Sequence, residues 1–327
     1  MSLRNSALLT SPWMVKQRTR VRAFRTRHID LQLQQLERAR RLLLAGDVDV
    51  LVLGDSGCLF GAPGEPDTRM IPELIGHELG GLRVVALTGA GYSARLHADF
   101  LRVLGSLPVR PRYLVTSVCV RTGTSVHVTT HPTYAYEQTH RRLATITSAK
   151  HRISYLQRKP EADAAAYDVF HAQAVTTRWG RGDTIGAFRA QLKGKGAPPW
   201  APAVEQALFD YFHGEVLTED HPRLADWKAL GRQIAAYGVP TVSYRTMGPV
   251  ERGEMNFPGE FEAHVNANVE LVDAAVSSTA GPRYAIVGEG LTDTDYADSR
   301  DGTEHFSFSG RQKLARAVAD ALRAQAD

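Results

Sequence analysis

The sequence predicts an α/β protein built on a parallel sheet, and three observations carry that reading. Apolar runs of strand length recur at residues 48–53, 82–88 and 112–120. They are continuous rather than alternating, the mark of strands buried on both faces. Segments with helical periodicity separate them, giving the order strand, helix, strand, helix, strand. The first two runs also break on glycine turns, Gly54-Asp55-Ser56-Gly57-Cys58 and Gly89-Ala90-Gly91.

The elements follow in order. Residues 31–46, LQLQQLERARRLLLAG, repeat leucine at helical spacing and stop at Gly46. The first strand, 48–53, is apolar except for Asp49. Residues 70–79 suit a short helix, and Pro63, Pro66 and Pro72 keep it from starting much earlier. After the strand at 82–88 comes a helix over 92–104, then the strand at 112–120. From about residue 134 to 237 the composition turns to long helical segments, interrupted by GKGAPPWAP (194–202) and by His221-Pro222. Because α/β elements resume afterwards, this stretch reads as a helical insertion. A fourth strand is expected at 238–245, a helix at 260–277, a short last strand at 284–287 and a C-terminal helix at 309–324. The chain divides into a basic arm and helix, 1–45, and one domain, 46–327, that carries the insertion.

Bulk properties narrow the class. A chain of 327 residues, 43% hydrophobic and 23% charged, has the make-up of an ordinary globular protein with a full-sized core. The net charge of +4 is concentrated near the N-terminus: between Arg4 and Arg41 stand ten Lys/Arg against Asp30 and Glu37, which leaves 29 bases and 33 acids elsewhere. Such an arm can hold an anionic surface. No nucleic-acid motif accompanies it, so a solvated arm wrapping the domain is expected, and nucleic acid is not. Trp13-Met14-Val15 is flanked at once by Lys16 and Arg18, too short a run for a signal peptide. No stretch approaches the roughly 18 apolar residues of a membrane span. Two cysteines, Cys58 and Cys119, are too few for a disulfide framework. The expectation is a soluble cytoplasmic protein without a membrane partner.

Ligand sites in open parallel sheets form beyond the C-terminal ends of the strands, which directs attention to residues 54–58, 89–91 and 119–123. A serine hydroxyl becomes a nucleophile when a base takes its proton and donors receive the oxyanion it creates. Ser56 follows a rigid strand, and Gly54 and Gly57 are expected to allow the sharp turn that exposes it. Far along the chain, SRDGTEHFSFSG (299–310) places Asp301 and His305 just before the terminal helix, with Ser307 or Ser309 as its cap. Histidine can relay the serine proton, and a carboxylate orients the ring and stabilises its cation.

Other constellations carry less. His127 and His131 in SVHVTTHP are spaced i, i+4, but the stretch is β-branched, closed by Pro132 and without a nearby third ligand, so no metal is expected. GAGYSAR lacks the G-x-G-x-x-G of a dinucleotide site, so no cofactor is expected. Arg121 suits either a clamp on a substrate carboxylate or a pair with an acid. Cys58 is a subordinate alternative nucleophile. A Cys58–Cys119 disulfide is disfavoured by the cytoplasmic assignment.

Gly54-Asp55-Ser56, the glycine turn after the second strand, and an Asp-x-x-(x)-His pattern ahead of the last helix resemble the SGNH, or GDSL-type, hydrolases. The resemblance covers residues 46–123 and 238–322, about half of the chain. It implies a flavodoxin-like three-layer α/β/α sandwich and an esterase acting on a small-molecule acyl ester. In that reading Ser56 is nucleophile and first oxyanion donor, Gly89 the second donor with Gly91 in reserve, His305 the base and Asp301 its orienting carboxylate. The same residues would serve an acyltransferase, and a weakened relative would be a binding protein. Two departures stand out. The family's aspartate lies three residues before the histidine, where this chain has Gly302; Asp301, Glu304 and Asp298 are the candidates here. The asparagine that supplies an amide donor after the third strand is missing, with Cys119 near its place and Arg121, Asn256 or a water as substitutes. Loss of one oxyanion donor typically costs about 2.7–4 kcal/mol. The insertion is expected to roof the strand ends, its aromatics Trp179, Trp200, Phe209, Tyr211 and Phe212 forming either an apolar wall or a helical core of their own.

Overall fold

A computed structural model describes residues 27–59, 61–62, 64–124, 136–158, 177–180, 202–288 and 290–325. Five strands, β2 (Val50–Gly54), β3 (Val84–Thr88), β4 (Tyr113–Cys119), β6 (Thr241–Thr246) and β7 (Tyr284–Val287), form one sheet in the order β3-β2-β4-β6-β7. Every neighbouring pair is parallel. Counted along the chain this is the order 2-1-3-4-5 of a doubly wound sheet. From β2 the chain moves outward to the edge strand β3, then crosses back to β4 on the other side. The loops leaving β2 and β4 therefore diverge, and a crevice opens between them.

Alternation along the buried strands assigns the two faces. Leu51, Leu53, Val85, Leu87, Leu114 and Val118 join one apolar cluster, packed by α1 (Leu31–Leu44), α3 (Ala94–Leu104), α6 (Leu224–Tyr237) and part of α8 (Phe261–Ala280). Val50, Val52, Tyr113, Val115, Val242 and Tyr244 join the other, packed by α2 (Ile71–Glu78) and α9 (Phe308–Ala324). The result is a three-layer α/β/α sandwich.

The helix ends follow their sequence cues. Asp30 caps α1 by accepting from the Leu33 N–H at 3.0 Å. Ser307 caps α9, while Ser309 donates instead to Asp295 at 2.8 Å.

Several elements lie where periodicity alone did not put them. α1, read with the basic arm, is part of the sheet's flanking layer: Leu33, Leu36, Ala39 and Leu43 are buried there, and the Gln35 amide donates to the Thr88 carbonyl at 2.9 Å. α6, read as the end of the insertion, is the crossover helix between β4 and β6 and packs on α3 and α8. Helical periodicity reports an apolar face but not what covers it. A small antiparallel ribbon pairs β1 (Arg27–Ile29) with β5 (Leu156–Arg158); at three residues each, neither strand has a readable pattern. Within the expected insertion, α4 (Glu137–Ala144) packs on α3, and α5 (Pro202–His213) meets α7 (Val250–Asn256).

The aromatics of that stretch divide. Trp179 stacks on Phe257 with ring centroids 4.0 Å apart, and Phe209 joins Phe257 and Phe261 in a local apolar core. Tyr211 is buried, Phe212 faces Arg121, and Trp200 lies outside the described residues, as do most of the basic arm, His127 and His131. Among the described residues no helix is long and apolar enough to cross a membrane, and no group of three or more His, Cys, Asp or Glu suits a metal ion.

Candidate active site

Several of the residues that the sequence singled out stand at the strand ends beside the crevice between β2 and β4. β2 ends at Gly54, and Ser56, Gly57 and Cys58 form one 3-10 turn. Asp55 caps that turn: one carboxylate oxygen accepts from the Gly57 N–H at 2.7 Å and the other from the Ser117 hydroxyl at 3.0 Å. Because Ser117 lies on β4, Asp55 ties the two diverging strand ends together. Ser56 is half-buried at the start of the turn, the position whose N–H has no acceptor within it.

The glycines act differently from the expectation. Neither Gly54 nor Gly57 has a positive φ, so backbone freedom is not their role. They permit close approach. A β-carbon on Gly54 would lie 2.2 Å from the Cys58 sulfur, and one on Gly57 would lie 2.8 Å from the Glu304 carbonyl oxygen and 3.4 Å from the Phe306 ring. The turn bearing Ser56 is thus in backbone contact with the loop bearing His305, which lies between Glu304 and Phe306. A second clamp holds the same two segments. Glu65, in the chain leaving the serine turn, accepts from the Phe308 N–H at 2.5 Å and from Arg311 at 2.9 Å. Arg311 is fully buried and donates also to the carbonyls of Phe306, Asp67 and Arg69.

The histidine loop separates the three candidate carboxylates by what each is bound to. Ser299–Asp301 is a 3-10 turn closed by Gly302 at φ 68°, in the left-handed region. Only glycine enters that region freely, so the position three before His305 is a backbone requirement and the acid falls one residue earlier. Asp298 pairs with Arg300 at 3.1 Å. Glu304 is bound by Arg121, with two contacts of 3.0 and 2.8 Å from Nε. Asp301 accepts from the N–H and hydroxyl of Thr303 at 2.7 and 2.6 Å. Burial lowers the His305 pKa from its ordinary value; of the charges that oppose this, Asp301 is the strongest.

Arg121 is not a free clamp for a substrate. It leaves β4 at the start of the Val120–Gly123 3-10 turn, is buried with Glu304, and lays its guanidinium over Phe212 at 4.7 Å. Desolvation pushes the Glu304 carboxyl up, but Arg121 more than offsets it and holds the group below its usual value. Desolvation raises Asp55 to about 6, and Glu304 adds to the rise; Gly57, Ser117 and Arg121 oppose it. Beside this cluster His213 meets the Gly302 carbonyl at 2.7 Å. A small cavity bounded by Arg121, Phe212, His213 and Glu304 has room for about one water molecule.

The oxyanion candidates separate by geometry. Thr88 pairs with Gly54 in register, so Gly89 and Ser56 leave neighbouring strand ends. Gly89 lies under Tyr92, whose ring would be 2.3 Å from any β-carbon there. Gly91, at φ 73°, serves the turn that follows. Cys119 is buried at the end of β4, and desolvation, then the Glu304 and Asp55 charges, hold its thiol protonated; it offers a weak donor. Asn256 is engaged elsewhere, its amide donating to Glu205 at 2.8 Å and to the Arg252 carbonyl at 3.0 Å. Cys58 is buried against Tyr244, with sulfur and hydroxyl 2.5 Å apart, and burial raises its pKa far above that of a reactive thiol. Both cysteines are free, with no disulfide between them.

Sequence reasoning missed the partners that brace this arrangement, namely Ser117, Glu65 and Arg311; of its two readings of Arg121 the pair with an acid is the one present, and the acid is Glu304. The signal for that pair was faint but present: Arg121 lies two residues past a wholly buried strand, where a charge needs a buried partner. No protein-family model matches the sequence, and no curated protein does either.

Proposed function

We propose that the protein is a serine-dependent acyl hydrolase of SGNH type, acting on a small-molecule ester in the cytoplasm. The observation that carries this reading is the contact of Gly57 with Glu304, which brings the Ser56 turn against the His305 loop in the crevice where doubly wound sheets bind ligands. In the reaction the Ser56 oxygen attacks the ester carbonyl carbon while His305 takes its proton. The N–H groups of Ser56 and Gly89 receive the oxyanion. Collapse expels the alcohol, which leaves with the proton from His305. A water then repeats the sequence on the acyl-enzyme, releasing the acid and restoring Ser56. Asp301 orients the imidazole and supports its cation.

Hydrolysis of short-chain aryl esters by wild type and by Ser56→Ala tests the reading, together with mass spectrometry of protein treated with a fluorophosphonate. The expected result is a phosphonyl adduct on Ser56 and loss of esterase activity in the variant; equal rates would remove the role of this serine. One feature favours a second reading. Where the family places an amide donor, this chain buries the Arg121–Glu304 pair, as a binding protein on the same fold could. A folded wild type that resists the probe while an ordinary esterase is labelled would select it.

A further inference from the structure

On the outer side of α1, Gln34, Arg38 and Arg41 recur at i, i+4 and i+7, one stripe of a helix. Facing them are Arg152 and Tyr155, in the segment that leads into β5. The five residues line a cavity of about 660 Å³, the size of a small-molecule site.

The floor of this cavity is built. Arg40, nearly buried, binds Glu37 through two hydrogen bonds of 2.7 and 2.9 Å. Glu37 also accepts from the Ile153 N–H at 2.9 Å, which fixes the Arg152 segment to the helix. That pair neutralises itself. Arg38 and Arg41 remain, exposed to the cavity and without an ion pair to an acid among the described residues, and the exposed Arg152 joins Arg40 in acting on the single Glu37 charge, so the cavity keeps an excess of three positive charges. Three guanidinium groups around one space repel one another unless an anion enters. Their planar forks match phosphoryl oxygens two at a time, and Tyr155 and Gln34 add neutral donors. From this we infer that the cavity binds a ligand carrying two or more phosphoryl groups, its remaining volume accepting an organic part. The inference is independent of the role of Ser56.

Calorimetric titration of the full chain with inorganic tripolyphosphate in physiological salt tests it, with sulfate as the control anion. Wild type is expected to bind tripolyphosphate saturably and more tightly than sulfate. R38E/R41E changes only exposed side chains and leaves the basic residues from Arg4 to Arg27 intact; it should lose about tenfold or more in affinity with an unchanged circular dichroism spectrum. R152E should do the same, and Ser56→Ala should bind as wild type does. Sedimentation with cardiolipin vesicles, whose headgroup carries two phosphates, distinguishes the sources. Vesicle binding that tripolyphosphate displaces assigns a lipid headgroup, whereas tripolyphosphate binding without vesicle binding assigns a soluble ligand. Equal binding by R38E/R41E and wild type, no saturable binding by wild type, or retention of a single-stranded oligonucleotide in place of tripolyphosphate would overturn the inference.

Discussion

The α-carbon of Gly57 packs directly on the carbonyl of Glu304, two residues 247 apart in the chain whose neighbours are Ser56 and His305. A β-carbon at 57 would stand 2.8 Å from that oxygen, and backbone atoms cannot step aside as a flexible side chain can. Gly57→Ala is therefore expected to push the two segments apart, destabilising the fold by about 1–3 kcal/mol in urea denaturation. Ester hydrolysis should fall further, on the order of 10²-fold, because a displacement of about 1 Å between reacting groups has that effect. A variant that loses stability and keeps its full rate would separate the contact from catalysis.

The Arg121–Glu304 pair gives a second test. Both side chains are buried, and each is the other's principal counter-charge. Removing one partner strands the other charge without water, so Arg121→Met or Glu304→Leu alone should cost about 3–5 kcal/mol. R121M/E304L leaves no charge stranded and should regain most of that stability. Denaturant unfolding of the four proteins measures the coupling; additive losses would show that the pair does not act as a unit.

These two relationships also mark how far the sequence could be read. The unbroken apolar runs placed the first three strands of the sheet, because burial leaves a local record, while β6 and β7 were placed from shorter and more mixed stretches. Ser56 and His305 stood out in the sequence because each follows or precedes a regular element. Their bracing did not, since Arg121 and Glu304 lie 183 positions apart and a charged residue is ordinarily taken for solvent. Arg311 repeats the lesson: in a helix of mixed polarity it reads as surface, yet it is fully buried and staples the serine loop to the histidine loop. Gly54 and Gly57 were read for backbone freedom when close approach was the reason, a distinction that exists only in three dimensions.

In the proposed reaction, His305 sets the expected pH dependence. Burial lowers its pKa below the ordinary 6.5 and Asp301 partly restores it. A general base must be neutral, so kcat/KM should rise with pH along a limb centred below 6.5. Asp301→Asn removes a charge that favours the imidazolium. The limb should move to still lower pH while the plateau rate falls, on the order of 10²- to 10⁴-fold, as the ring loses its orienting partner. A limb that moves upward would exclude Asp301 as that partner.

Asp55 makes stability itself depend on pH. Its folded pKa of about 6 lies above the ordinary 3.8, chiefly through burial and next through the Glu304 charge. Between these values the folded chain holds a proton that the unfolded chain has released, so folding is favoured at low pH and loses that advantage as pH rises through 6. The difference amounts to about 3 kcal/mol. Asp55→Asn keeps the shape: its amide oxygen can accept from Gly57 and its NH₂ can donate to the Ser117 hydroxyl. Near pH 4 the variant and wild type should be about equally stable. By pH 8 the variant should be the more stable by roughly that amount, since it has no buried charge to desolvate. Urea unfolding of both proteins from pH 4 to 8 reads the difference directly, and a gap that stays constant, or widens toward acid, would show that Asp55 is ionised in the folded protein throughout.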